Sequence, residues 1–587
     1  MEHLRGSGIS SCVDGILFIP CANRVSKRRR RSDGTLSQIV SRGFTDMLPK
    51  RVPLMLLAAL ACLNFLLRYP STSHELGVDS FVWHGMATSL KQHGVALWVL
   101  NPLSYFGLYP LSHPSGSPFL LAAFSLLSNG SIEGAVVYLD MVVALISMLT
   151  GFILGREFTH SDSFALTTSL ILSLTPELIT ALTWQVPTRV LFTVLLPLLL
   201  WGLIRLARRP SKNIGIVLGA TFFVMMSFHR LTIFVSLIGF AYVVTGILLT
   251  ALRTLRIRSP QIFLRRRFIR WAPLVSVIAV VGVSFGTLAS TDVLGEYSSG
   301  ALISGNSLAI QFANLGISLA RNSGILLPLA VLGIAGVVLR RNKSYADPFV
   351  VVALLAFLPM LFLRQYTGYY TIPFTSLFIA FGLFVLLKRI RSSKRRAFAI
   401  AATAAFVLVS SVSISSYDLA LVSHMANGSY NVALYLRYDT AGTVITNEGL
   451  TGSRVHAISG IPYLPVGGAT TAFQSPELLM FDFVDRSRVA GQIASIPLNH
   501  LSVDADSPFE LLDVQAEADW VGLLQAPVGA IPASYANYQV RYLLEVRAYP
   551  GEFTAYGNLY PAILLQTASV ERYAVYQDSL STIYFLG

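Results

Sequence analysis

Eleven apolar segments follow one another between Val52 and Ser416, and a polar, acidic tail then runs from 417 to 587. A helix needs roughly 20 apolar residues to cross the hydrocarbon of a bilayer, somewhat fewer at the short end. In lipid its backbone polar groups must be satisfied within the segment itself. The pattern therefore predicts a polytopic α-helical membrane protein of about 11 spans that carries a soluble C-terminal domain. The expected spans are 52–67, 133–154, 162–181, 188–207, 212–228, 231–252, 271–289, 324–339, 348–363, 371–388 and 397–416. The stretch Phe119–Leu127 is too short to cross and is expected to lie at the interface or re-enter.

Composition supports a lipid solvent. The chain is 53% hydrophobic and 13% charged, where a soluble protein would carry about twice that charged fraction. The net charge of +14 conceals an asymmetry. The tail from Tyr417 holds 7 Arg, no Lys and 16 acidic residues, which leaves 37 basic and 14 acidic residues before it. Basic residues beside apolar spans set topology or touch headgroups, so no nucleic-acid partner is expected. The cysteines are Cys12, Cys21 and Cys62. None lies in the tail, and no Cys/His cluster suggests a zinc or iron–sulfur centre.

Charge also sets direction. Residues 1–50 read as a disordered basic arm with the run Lys27–Arg31, which favours the cytoplasm. No small-residue cleavage site follows the first apolar segment, so it reads as an uncleaved span. Alternate loops are then basic: Arg208 and Arg209, the cluster Arg256–Arg267, Arg340 to Lys343, and Lys388 to Arg396. By the positive-inside rule, the amino terminus is cytoplasmic. The multispan domain covers 51–416, and the tail 417–587 is an extracytoplasmic mixed α/β domain on an integral plasma-membrane protein of the cell envelope. The external face collects the long first loop 68–132, the turn Leu182–Pro187, the pair His229-Arg230, the loop 290–323 and the stretch Arg364–Tyr370.

A first loop of this length is either functional or disordered, and its aromatic content argues for order. Asp79 precedes an amphipathic helical pattern through Phe81, Met86 and Leu90, where a carboxylate can serve simply as a helix cap. A capping carboxylate can still face a substrate. Asp140, inside the second span, is expensive in lipid and is assigned a structural role. Glu177 and Arg189 flank the Trp184-Gln185 turn and either pair with each other or line a site. In the tail, strands are expected at 442–446, 463–466 and 540–546, a short helix at 452–458, and a terminal hairpin through 573–577 and 582–586. Asn129-Gly130-Ser131 and Asn427-Gly428-Ser429 have the form of glycosylation sequons.

Gly77, Asp79, Met86 and Ala87, followed by Tyr109-Pro110 and His113-Pro114-Ser115-Gly116, form a pattern that resembles the GT-C superfamily. Further matches are Thr175-Pro176-Glu177, Phe228-His229-Arg230-Leu231-Thr232, and Arg364-Gln365-Tyr366 with Tyr370 and Pro373. The resemblance covers roughly 50–390, and each motif is weak alone; their order and shared external placement make the combination more specific. GT-C proteins are multispan glycosyltransferases that use polyprenyl-phosphate-linked sugars. The resemblance implies inverting transfer of a hexosyl or pentosyl group to a glycan, lipid or protein acceptor outside the cytoplasm. It implies Asp79 as the base, with Glu75 second, because transfer needs a base for the acceptor hydroxyl. It also implies cations for the leaving phosphate: Arg230 and Arg364, whose guanidinium groups can grip phosphate oxygens in pairs, helped by His229. Glu177, Trp184, Arg189, Tyr366 and Tyr370 would line the site.

The sequence departs from known branches of the superfamily. The tail lacks the Trp-Trp-Asp-Tyr-Gly signature of oligosaccharyltransferases. The adjacent Asp-Glu pair of protein O-mannosyltransferases is replaced by Glu75 and Asp79, four residues apart. No cofactor is fixed by the sequence; Mg²⁺ or Mn²⁺ would draw on Asp292 or Glu296 as additional carboxylates. Two rival readings are a flippase or transporter of lipid-linked glycans and a non-catalytic, membrane-anchored binding or assembly protein. Transport would call for a polar mid-bilayer pathway, preferably between repeated halves. Asp140 is the one acidic residue well inside an expected span, and no internal repeat is visible.

Overall fold

The computed structural model describes residues 52–77, 79–94, 116–257, 308–340, 344–361, 368–390, 392–421, 425 and 427–438, and, further along the tail, 443–446, 449–461, 463–465, 540–546, 573–577 and 581–585. The expected span 271–289 lies outside these residues.

The helical part runs α1 (Val52–Leu67), α2 (Asp79–His93), α3 (Gly116–Ser128), α4 (Ile132–Thr159), α5 (Asp162–Ser173), α6 (Pro176–Thr180), α7 (Thr188–Arg208) and α8 (Lys212–Phe228). A 3-10 turn (Arg230–Val235) leads into α9 (Ser236–Ile257). Then follow α10 (Leu308–Ser323), α11 (Leu327–Leu339), α12 (Ala346–Leu361), α13 (Gly368–Arg389), α14 (Ser393–Leu421) and α15 (Asn427–Tyr438). Helix covers most of each expected span within the described residues, but 162–181 is interrupted and 231–252 begins with a 3-10 turn. Among the described residues, Ile132–Thr159, Thr188–Arg208, Gly368–Leu387 and Lys394–Leu419 are long and apolar enough to cross a membrane. Leu315–Ser323 and Leu327–Leu339 qualify together as a pair bent by 91°.

Local chemistry sets the helix limits. Ser131 caps α4 by accepting from the Gly134 amide at 3.0 Å, Glu133 sits in its first turn and Arg156 in its last, and His160 closes it in the left-handed region at φ 59°. This is the charge order the helix dipole favours. The expected continuous span 162–181 is broken. Pro176 has no N–H and disfavours helical geometry at the residue before it, and Thr175 is extended at φ −58°, ψ 132°. The 12 residues of α5 therefore rise only about 18 Å, less than the roughly 30 Å of hydrocarbon.

Lipid tails are as apolar as leucine, so close packing rather than water exclusion binds helices in a bilayer. Glycines make that packing intimate. A Cβ at Gly333 would fall 1.9 Å from the Phe378 carbonyl oxygen, and one at Gly382 would fall 2.1 Å from that of Leu329, so α11 and α13 touch backbone to backbone. The main apolar core gathers Phe158, Phe164, Phe192, Phe349, Phe357 and Phe374 from five helices. At one end of the bundle Glu157 pairs with Arg205 at 3.2 Å and Arg208 at 2.8 Å.

The tail adds β1 (Thr443–Thr446), α16 (Gly449–Ser459), β2 (Tyr463–Pro465), β3 (Val540–Val546), β4 (Tyr573–Gln577) and β5 (Ser581–Phe585). They form one mixed sheet in the order β2-β1-β3-β5-β4. Strand β1 runs parallel to β2 and β3, while β5 pairs antiparallel with β3 and β4. A cluster of Val432, Leu436, Val444, Val455, Tyr542 and Ile583 joins the sheet to α15 and α16.

Candidate functional site

Helix α2 opens at Asp79, and a buried polar chain ties the backbone around it to the turn 182–187. The Leu76 amide donates to the Trp184 carbonyl at 3.0 Å. The Val186 amide donates to Ser80 Oγ at 2.7 Å, and the Ser80 hydroxyl in turn donates to Glu75 Oε1. His84 Nδ1 meets the other Glu75 oxygen at 2.5 Å. Glu75, Ser80 and His84 are all buried. Glu75 is thus engaged through both oxygens.

The turn is held from the bundle as well. Gln185 donates its amide to Asp140 Oδ2 at 3.2 Å and its side-chain nitrogen to the Thr180 carbonyl at 2.9 Å. Trp184 occupies the left-handed region at φ 54°, which is uncommon for a bulky residue, and its indole donates to the Glu133 carbonyl at 3.3 Å. Gly77 has φ +88°, and a Cβ there would lie 2.9 Å from Gln185 Oε1, so only glycine fits this approach. Asp140 has found its structural partner, 45 residues away.

A second polar group lies at the same end. Tyr369, at the start of α13, donates its hydroxyl to Glu177 Oε1 at 2.5 Å, and the charge of Arg189 acts on both. Burial pushes the Glu177 carboxyl up from its ordinary range; the Tyr369 hydroxyl, Arg321 and Arg189 oppose this, and Asp418 adds to it. Arg321 pairs with Asp418 at 2.8 Å, joining α10 to α14. Tyr370 points elsewhere: it is buried in the aromatic core, stacked on Phe357 at 4.6 Å and edge-on to Phe192 at 5.0 Å. The residue facing Glu177 is therefore Tyr369, whereas the sequence reading names its neighbour Tyr370 among the residues lining a site. The signal was available, since one step along a helix turns a side chain by about 100° and the pattern around 370 is apolar.

His229 terminates α8, its amide donating to the Met225 carbonyl at 3.2 Å. Arg230 opens the 3-10 turn that follows, and Thr232 pins that turn by donating to the Met225 carbonyl at 2.8 Å. The start of α3 packs directly here, because a Cβ at Gly116 would lie 2.7 Å from the Ser227 carbonyl. Trp83, Trp184, Phe228 and Tyr369 all pack against one apolar cluster. The elements bearing Asp79, Glu177, Arg189 and His229-Arg230 thus converge on that cluster. Arg364, Tyr366, Asp292 and Glu296 lie outside the described residues. Among the described residues no group of three or more metal-ligating side chains gathers. Glu75 is already committed to Ser80 and His84, so it does not fit as the partner of Asp79 in a divalent-ion site.

The tail sits on the same helix. Thr88 Oγ1 donates to the Ala457 carbonyl at 2.8 Å, and a Cβ at Gly85 would lie 2.6 Å from His456 Cδ2. His74 stacks on Tyr430 with ring centres 3.8 Å apart. Helix α2 therefore has two apolar sides: Met86, Ala87 and Leu90 belong to the bundle, whereas Phe81 belongs to the core under the sheet.

No protein-family profile matches the chain, and no curated protein matches it in sequence. Solved structures do match in shape. The oligosaccharyltransferase of Archaeoglobus fulgidus in its apo form superposes with a TM-score of 0.50 at 13% identity, over 85% of this chain and 70% of that one. ArnT from Cupriavidus metallidurans bound to undecaprenyl phosphate gives 0.48 at 12% identity, over 92% of this chain and 99% of that one. A mutant of the arabinofuranosyltransferase AftD from Mycobacteria gives 0.49 at 13% identity, over 93% of this chain and 42% of that one. The chain is a polytopic membrane protein with a GT-C-like fold.

Proposed function

We propose that this protein is a membrane glycosyltransferase that moves a sugar from a polyprenyl-phosphate donor to a glycan, lipid or protein acceptor on the extracytoplasmic face. The observation that carries the reading is the GT-C-like fold with Asp79 at the head of a helix locked into the first long loop. The oligosaccharyltransferase of Archaeoglobus fulgidus, alike in fold, has been captured tethered to an acceptor peptide containing a sequon. The apolar cluster shared by α2, α8 and α13 supports a reading in which the elements bearing Asp79, His229-Arg230 and Tyr369 act together.

In this reading the acceptor hydroxyl attacks the anomeric carbon of the donor. The new C–O bond forms as the bond from that carbon to the phosphate oxygen breaks, inverting the centre. Asp79 takes the acceptor proton, and the bonding pair leaves with the lipid phosphate. Arg230 and Arg364 offset the charge that grows on the phosphate, with His229 as a hydrogen-bond donor. Arg189, Tyr369 and Glu177 position the sugar or phosphate from the α6–α7–α13 side. The amino terminus is cytoplasmic and the tail covers the reacting face.

The test is a turnover assay with the full-length protein in nanodiscs and a panel of synthetic polyprenyl-phosphate hexoses and pentoses. Release of free polyprenyl phosphate from at least one donor supports the reading, and an Arg230→Ala variant should raise the KM for that donor about tenfold or more. Inert behaviour toward the whole panel, alongside specific uptake of a lipid-linked glycan, would replace it with transport.

A further inference from the structure

We propose that Ser80, Glu75, His84 and Asp140 are positioning residues that together lock the first turn of α2, and with it the backbone of Asp79, onto the 184–186 turn. The proposal rests on the glycosyltransferase reading for its catalytic consequence, while the lock itself is a structural claim that can be tested without turnover.

Ser80 is the hinge of the arrangement. Its Oγ accepts from the Val186 amide at 2.7 Å and donates its own proton to Glu75. That leaves the second Glu75 oxygen to His84 Nδ1 at 2.5 Å, which carries the proton because a carboxylate can only accept. Two of these bonds run in one direction, amide to hydroxyl to carboxylate, so the first polarises the second, and the His84 bond converges on the same carboxylate. His84 lies one turn further along the same helix, so Glu75 bridges the chain before α2 to two points on its inner face. Glu75 also fixes its own backbone, its amide donating to Glu133 Oε1 at 3.3 Å.

The bundle anchors the other end. Asp140 belongs to the long helix α4 and accepts from the Gln185 amide at 3.2 Å, and the buried Arg68 supplies an opposing charge nearby. Arg68 is in turn held by Asn64 Oδ1 and by the Ser173 carbonyl, both at 2.7 Å. A rigid transmembrane helix is therefore connected through Gln185, Val186, Ser80 and Glu75 to the residue beside Asp79. Adjacent Cα atoms are held about 3.8 Å apart by the peptide geometry, so fixing Ser80 leaves the Asp79 backbone little freedom. The bonds that tie Ser80 to Val186 and to Glu75 are both made in a buried setting, where a hydrogen bond is stronger than in water.

Replacing Ser80 by Ala removes one acceptor and one donor from this chain, whereas Ser80→Thr keeps both. Hydrogen exchange on the full-length protein in nanodiscs reads the lock directly. In Ser80→Ala, the amides of 182–186 and the first turn of α2 should exchange at least about tenfold faster, with α13 unchanged. In the turnover assay kcat should fall about 100-fold with the donor KM within twofold, and Ser80→Thr should restore most of it. Unchanged exchange in Ser80→Ala overturns the proposal, as does faster exchange with full kcat. Faster exchange in Ser80→Ala while the wild-type protein turns over none of the donors would uphold the lock and reject the glycosyltransferase reading instead.

Discussion

The guanidinium of Arg454 lies 5.5 Å from the centre of the Phe81 ring, which joins the sheet-bearing tail to the helix that starts at Asp79. Both side chains are buried. One residue separates the residue proposed as the base from the residue that seats the tail, so the tail and the proposed chemistry share one short helix.

Docking should therefore be separable from folding of the bundle. A Gly85→Leu side chain would push into the His456 ring, which a Cβ alone would approach to 2.6 Å. We expect it to weaken the tail contact by about 1–3 kcal/mol. Phe81→Leu keeps apolar bulk but loses the ring under Arg454, at a cost of about 1–2 kcal/mol. Limited proteolysis should release the tail faster in both variants while leaving the bundle intact. Equal release in the variants and the wild type would show that the contact is not what holds the tail.

Neighbouring tyrosines should behave differently. Tyr370 packs between Phe357 and Phe192, so Tyr370→Ala should cost about 3–5 kcal/mol in unfolding stability. Tyr369→Phe removes the donor to Glu177 and should cost only about 1–2 kcal/mol while depressing turnover. Thermal unfolding and transfer assays on the two variants check the contrast. The reverse ranking would mean that Tyr369 is the packing residue.

Much of the fold is legible in the chain because it rests on short-range rules. The β3 range 540–546 and the terminal hairpin follow from local alternation and turn chemistry, and the structure has strands there with β4 paired to β5, while the pairing of β3 with β5 is no part of the sequence reading. The reading of 162–181 as one span misses the break at Pro176, although the missing N–H is a property of one residue. The polar lock was not legible. It joins Glu75, Ser80 and His84 to Asp140, Gln185 and Val186 through contacts as distant as 106 residues, and no periodicity encodes a partner that far away. The partners of the Glu75 carboxylate, Ser80 and His84, lie only five and nine residues on, but the contact of Ser80 with Val186 that completes the lock is a long-range one.

The α11–α13 contact offers a strict test of packing. With Gly333 seated on the Phe378 carbonyl, Gly333→Leu cannot be relieved by a rotamer change. We expect about 3 kcal/mol or more of destabilisation and poor yield of folded protein. A normal unfolding temperature for this variant would show that the two helices do not meet there.

Glu177 should impose a pH dependence on stability. Burial raises its folded-state pKa above the unfolded value, so the native state keeps a proton that the unfolded chain has released. The associated stability is present at low pH and declines as pH rises above the ordinary glutamate range. Glu177→Gln removes this dependence. The variant should therefore gain on the wild type as pH is raised from about 5 to 8 in thermal unfolding. A constant gap across that range would mean that the carboxyl is not held protonated.

The most direct test of the central claim is sugar transfer by Asp79→Asn. The side chain keeps its size but cannot accept the acceptor proton, so kcat should fall at least about 1,000-fold from the wild-type value, with donor binding and thermal stability retained. Transfer at the wild-type rate by a folded Asp79→Asn protein would contradict the account.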